Sequence, residues 1–134
     1  MSIAQILEKN ENLVTASIEK QSAVNPYKGQ LMKEILEYMR SNLGEAELSK
    51  TYLSERFGMS ISSLNRSFKS FTGRTYVGIL NMMRLGKMIE LLEEDELRDR
   101  DIGEIIGIPD PHYLSIWFKK MTGESVTTYR NSKK

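Results

Sequence analysis

No cysteine occurs anywhere in the chain, and there is a single histidine. The first absence rules out a disulfide framework, a thiol nucleophile and any cysteine-built zinc site. The second leaves His112 without the partners that a metal centre or a catalytic dyad would need. No apolar run approaches the roughly 20 residues of a membrane-crossing helix. The opening MSIAQILEKN has neither the basic nor the apolar segment of a secretion signal. Proline is scarce, at three residues, and no stretch alternates apolar and polar residues long enough to suggest a strand. Charge of one sign is also missing, because 19 basic residues face 18 acidic ones. No phosphate loop or nucleophile–base pair stands out, so the sequence offers no enzyme, cofactor or metal reading.

What is present is 134 residues with 40% hydrophobic and 28% charged side chains, enough for one soluble domain with its own core. The expected location is a reducing cytoplasm. The balanced charge hides a local excess. Residues 61–92 hold Arg66, Lys69, Arg74, Arg84 and Lys87 against Glu90 alone, whereas residues 93–134 hold seven basic and nine acidic residues. An anionic partner would therefore be drawn to the middle of the chain.

The periodicity is helical throughout and predicts an all-α fold. Ile3, Ile6, Leu7, Leu13, Val14 and Ile18 form a narrow apolar stripe over 3–20. QSAVNPYKG, residues 21–29, reads as a linker because Asn25-Pro26 and Gly29 interrupt the pattern. Helices are expected at about 30–42, 49–57, 61–72, 75–94, 102–107 and 110–121, with a last one beyond. The helix at 61–72 has Ser60 to cap its start and Gly73 to end it.

An internal repeat organises these segments. FKSFTG begins at Phe68 and FKKMTG begins at Phe118, 50 residues later. Leu64 maps onto Leu114 and the cap Ser60 onto Asp110 with the same offset. Each copy is a short helix, a glycine-containing turn and a second helix, the pattern of a helix-turn-helix. On the second helix of the first copy, Ser62, Asn65, Arg66 and Lys69 share one face by their i, i+3, i+4, i+7 spacing. Asn pairs with adenine and Arg with guanine, Ser suits either base, and Lys supplies charge. That row is suited to base edges in a major groove.

The ordered motifs YLSERFGMSISSLNRSFKSFTG, MMRLGKMIELL and DIGEIIGIPDPHYLSIWFKKMTGESVTTYR resemble the DNA-binding domain of AraC/XylS-type transcription regulators. The resemblance covers about residues 30–134. It implies two homeodomain-like helix-turn-helix units, at about 49–73 and 101–123, joined by a linker helix at about 75–94. Residues 1–29 would precede them as an amphipathic helix and linker. It also implies that both recognition helices read successive major grooves of double-stranded DNA, and that RNA polymerase is a partner near a promoter. A linker helix of this size is about 30 Å long, close to the roughly 34 Å turn of DNA. His112, Ser115 and Ile116 then join Ser62, Asn65, Arg66 and Lys69 as expected base readers. Ser60, Ser63, Arg74, Lys119 and Lys120 are expected against phosphate.

The chain departs from the family pattern in its second unit. Ile116 stands where an arginine is usual, Gly103 replaces an alanine, Ile108 a phenylalanine and Asp99 an apolar residue. The expected result is a less stable second unit that reads DNA more permissively. The competing reading is a module that keeps the fold for protein contacts and binds DNA weakly or not at all. Arg84 is expected to brace the two units, Trp117 to pack, and the acidic run at 93–101 to be a solvated loop. The stripe over 3–20 would pack back on the core, connect to an upstream sensing or receiver domain, or dimerise. The chain itself is either a piece of a longer regulator or a small stand-alone member.

Overall fold

A computed structural model describes residues 2–45 and 48–132. Among these residues the fold is entirely helical: α1 (Ile3–Val24), α2 (Pro26–Ser41), α3 (Lys50–Phe57), α4 (Ile61–Thr72), α5 (Tyr76–Glu94), α6 (Asp99–Ile106), α7 (Pro111–Thr122) and α8 (Val126–Ser132). Local chemistry sets most of the boundaries. Ser2 opens α1 with a capping box, its hydroxyl accepting from the Gln5 N–H while the Gln5 side chain accepts from the Ser2 N–H. Gly58, Gly73, Gly107 and Gly123 close α3, α4, α6 and α7 in the left-handed conformation.

The linker expected over 21–29 is not there. Asn25 alone separates α1 from α2, and its side chain accepts from the Lys28 N–H at 3.2 Å. The Asn-Pro pair acts as helix cap and first helical residue, where proline's missing N–H costs nothing. Gly29 is buried, and a Cβ there would overlap Ser22, so the two helices fold tightly against each other at the turn.

Leu7, Val14 and Ile18 anchor α1 in the same core as α2, α4 and α5. Of the readings open for this stripe, packing back on the core is the one the fold adopts. The bare backbone of Gly86 faces Leu7 and Glu11. Toward its start, α1 shares a cleft of about 190 Å³ with Arg74, Met82 and Leu85, and with Met121 at the end of α7. One helix thus packs on the first half and α5 and borders a cleft that reaches the end of α7.

Down the middle runs α5, with Tyr76, Ile79, Leu80, Met82, Leu85, Met88, Ile89, Leu91 and Leu92 buried. The Tyr76 hydroxyl donates to the Leu48 carbonyl at 2.9 Å, and its ring meets Phe68 edge-on. On the other half, Trp117 Nε1 donates to Asn81 Oδ1 at 3.3 Å. Trp117 is buried and packs, as its spacing suggested. The halves also meet through backbone. A Cβ on Gly107 would overlap the Leu43 carbonyl, and one on Gly44 would press on the carbonyls of Glu104 and Ile105.

Arg84 lies at that seam, its guanidinium within about a contact distance of Gly107. Burial pushes its pKa down, opposed by the nearby Tyr76 and Tyr113. Burial likewise raises the Tyr76 pKa, with Arg84 pulling the other way. Arg84 is only half-buried there, and its Nε–H has no hydrogen-bond partner among the described residues.

Two expectations about the second half need correcting. The acidic run is not merely a solvated loop: Arg130 donates to Asp95 at 2.7 Å, to Asp99 at 2.8 Å and to the Leu97 carbonyl at 3.0 Å. Asp99 therefore ties α8 to α6 instead of only displacing an apolar residue. Gly103 is not just a weak helix former. It is buried, and a Cβ there would overlap the Ile108 carbonyl, so glycine is what lets the turn close.

Candidate nucleic-acid interface

The first recognition helix is held by local and core contacts on one side only. Ser60 accepts from the Ser63 N–H at 3.0 Å and leaves its own proton free to donate outward. Leu64, Phe68, Phe71 and Thr72 are buried, which points the opposite face of α4 to solvent. Ser62, Asn65, Arg66 and Lys69 are all exposed on it. The Arg66 guanidinium donates to the hydroxyls of Ser62 and Ser63, both at 3.4 Å. These long, exposed bonds orient the arginine along the helix without neutralising it. Among the described residues no carboxylate pairs with Arg66, Lys69, Arg74, Lys119 or Lys120.

The second recognition helix repeats the frame with different chemistry. Asp110 accepts from the His112 N–H at 3.0 Å, and Pro111 fills the first helical position. Leu114, Trp117 and Phe118 are buried. His112, Ser115, Ile116 and Lys119 are exposed on the far face, with Lys120 on its flank. Ile116 is 52% exposed and Tyr113 54%, so this face is apolar where α4 carries Arg66.

The structure brings each expected row together and sets both on solvent-facing surfaces. Arg74 is placed apart from them. It lies past the end of α4, in the cleft beside α1. One neighbour was not foreseen. The first half of α2 runs beside α4 and, with it, walls a groove of about 490 Å³. Tyr27 and Lys28 stand on its far wall, 81% exposed in the case of Tyr27. Nothing in the local sequence marks them, because the groove joins residues more than 30 positions apart. No cluster of three or more His, Cys, Asp or Glu side chains able to hold a metal occurs among the described residues. No described helix is long and apolar enough to cross a membrane.

Residues 53–132 match the helix-turn-helix domain family, well over half of the chain. The chain belongs to that family, in its AraC-type branch. Among curated relatives, the HTH-type transcriptional activator RhaR of Pectobacterium carotovorum subsp. carotovorum is 36% identical over 76 residues, which is 57% of this chain and 27% of RhaR. Histidine kinase P4 of Formosa agariphila is 26% identical over 102 residues, covering 76% of this chain and 7% of the kinase. The chain therefore spans about a quarter or less of the length of these relatives.

Solved structures agree with the fold. The C-terminal domain of AraT, a response regulator from Geobacillus stearothermophilus, superposes with a TM-score of 0.72 at 28% identity, covering 76% of this chain and 84% of that one. The DNA-binding domain of AdpA, a global transcriptional factor solved with a target DNA, gives 0.68 at 25% identity, covering 75% and 89%. Family and fold are those of DNA-binding transcription regulators.

Proposed function

We propose that this chain is a sequence-specific reader of double-stranded DNA that regulates transcription, with α4 and α7 entering successive major grooves. The observation that carries it is the pair of exposed rows on helices 50 residues apart, each backed by a buried core and each without an ion pair among the described residues. Asn65 and Arg66 present bidentate chemistry to adenine and guanine, with Ser62 and Lys69 beside them. Ser60 and Ser63 at the start of α4, and Lys119 and Lys120 on α7, take phosphates. Arg74 serves a phosphate at the edge of the first site or the seam with α1. In α7, His112, Ser115 and Ile116 meet base edges, and Ile116 suits the methyl group of thymine.

The two readers are unequal, so one half-site carries more of the selectivity. Contact with RNA polymerase, a location in the cytoplasm, and an upstream sensing or receiver domain joined through α1 complete the proposal. They rest on the resemblance to known regulators.

Selection from a random duplex pool, followed by binding of the winner across a salt series, tests the core of this reading. A shared motif with a strong half-site, and affinity falling steeply with salt, is the expected outcome. An absence of enrichment together with salt-independent binding would leave the fold serving protein contacts, for which the apolar Ile116 and Tyr113 face of α7 is the natural surface.

A further inference from the structure

The groove between α2 and α4 has a distinctive position. It borders the reading row directly, because Arg66 belongs to both. Its α4 wall carries Ser63, Ser67 and Ser70, about one hydroxyl per helical turn. Its α2 wall carries Tyr27 and Lys28 at the rim above apolar Leu31, Met32 and Ile35, and no carboxylate is among its lining residues. Lys28 has no ion-pair partner among the described residues. Donors spaced along the length of a helix suit a repeating anionic ligand better than a single small anion, which would use only one end of the row.

Resting on the reading that α4 enters a major groove, we propose that this groove holds one phosphodiester strand of the same duplex, clamped from outside by Lys28 and Tyr27. The α4 axis is about 18 Å long, enough to run beside several successive phosphates. When the Ser62–Lys69 row faces base edges, the strand bordering that side passes over Ser63 and Ser67. The exposed Tyr27 and Lys28 then close on it from α2. This gives α2 a binding task in addition to its place in the core. The clamp is indifferent to sequence, since it touches only the backbone.

Lys28→Gln and Tyr27→Phe, both at exposed positions, are compared with the wild-type protein on its selected duplex and on a random one. Losing the Lys28 charge should lower affinity roughly fivefold to tenfold at 0.1 M salt and flatten the log–log salt slope by about 0.9, whereas Tyr27→Phe removes a neutral contact and should lower affinity with the slope unchanged. The fall should be equal on both duplexes, leaving the preference between them intact. Because the chain has no cysteine, Lys28→Cys carries a unique thiol for a tethered iron chelate, which should cut one strand at the edge of the first half-site. Unchanged slope and affinity in Lys28→Gln, with Arg66→Ala still losing selectivity, overturn the clamp and leave the DNA reading standing. A wild-type chain that binds neither duplex overturns both.

Discussion

The two helix-turn-helix units share a frame and differ in what fills it. From the cap onward they are 50 residues apart, Gly73 against Gly123, but their first helices end only 49 apart, at Gly58 and Gly107. The second turn, Gly107 to Asp110, is one residue longer than Gly58 to Ser60. In the first unit the Ser54 hydroxyl donates to the Met59 carbonyl. At the matching place in the second stands Gly103, and the Ile108 carbonyl occupies the space a side chain would need. Both turns share a backbone bond, Met59 N–H to the Ser54 carbonyl and Ile108 N–H to the Gly103 carbonyl, and only the first adds a side-chain hydrogen bond to it. The recognition helices diverge too. A neutral serine caps α4, where it can meet a phosphate, whereas a carboxylate caps α7 and repels one. The lesson is a difference in what each unit exposes: the first presents charge and hydrogen-bonding groups on the free face of α4, and the second is pressed against the first along the seam of Gly44 and Gly107.

The largest expected effect separates the two cap glycines. Gly58 has open space around its missing Cβ, so Gly58→Ala should cost only the left-handed strain of about 1–2 kcal/mol. Gly107→Ala adds a clash with the Leu43 carbonyl and should cost about 3 kcal/mol or more, read by urea unfolding. Equal costs would show that the seam gives way easily. Next come the readers. Arg66→Ala should lose about 1–3 kcal/mol on the preferred duplex and relax selectivity there. Ile116→Ala should lose about 1 kcal/mol or less, and replacing thymine by deoxyuridine in the second half-site should remove that difference. A larger loss at Ile116 than at Arg66 would reverse the proposed inequality.

Smaller effects test the two turns. Gly103→Ala should destabilise by about 1–2 kcal/mol despite alanine's better helix propensity, because backbone must move to admit the methyl group. Ser54→Ala should cost about 1 kcal/mol, the net value of a hydrogen bond. A stabilising Gly103→Ala, seen in the thermal midpoint, would mean that the second turn relaxes freely. The smallest is Asp95→Asn, which removes the charge yet keeps a residue that tolerates the left-handed conformation held at the end of α5. The Asp95 carboxylate is 62% exposed and should contribute only a few tenths of a kcal/mol to holding Arg130.

How much of this was legible depended on how local each cause is. The helix α4 was read at 61–72, as observed, because Ser60 and Gly73 act on their immediate neighbours and the apolar face is complete within 12 residues. The exposure of the first row followed from the same periodicity, and the second row came from the 50-residue offset together with the family resemblance. Asn25-Pro26 misled because the same pair starts a helix or makes a turn, and only Gly29 lying on Ser22 decides between them. Gly103 showed its helix penalty in sequence but not the carbonyl it makes room for. Arg130 meets acids 31 and 35 residues away, and the groove of Tyr27 and Lys28 joins α2 to α4. Such pairings exist only once the chain has folded.

One buried contact makes the molecule its own optical gauge. Trp117 is the sole tryptophan, 6% exposed, and its indole N–H reaches Asn81 across the junction of α7 and α5. Its emission therefore reports one place only, the contact between α5 and α7. A rotation of α7 on loading or release would shift colour and intensity without any dye, on the timescale of a stopped-flow trace.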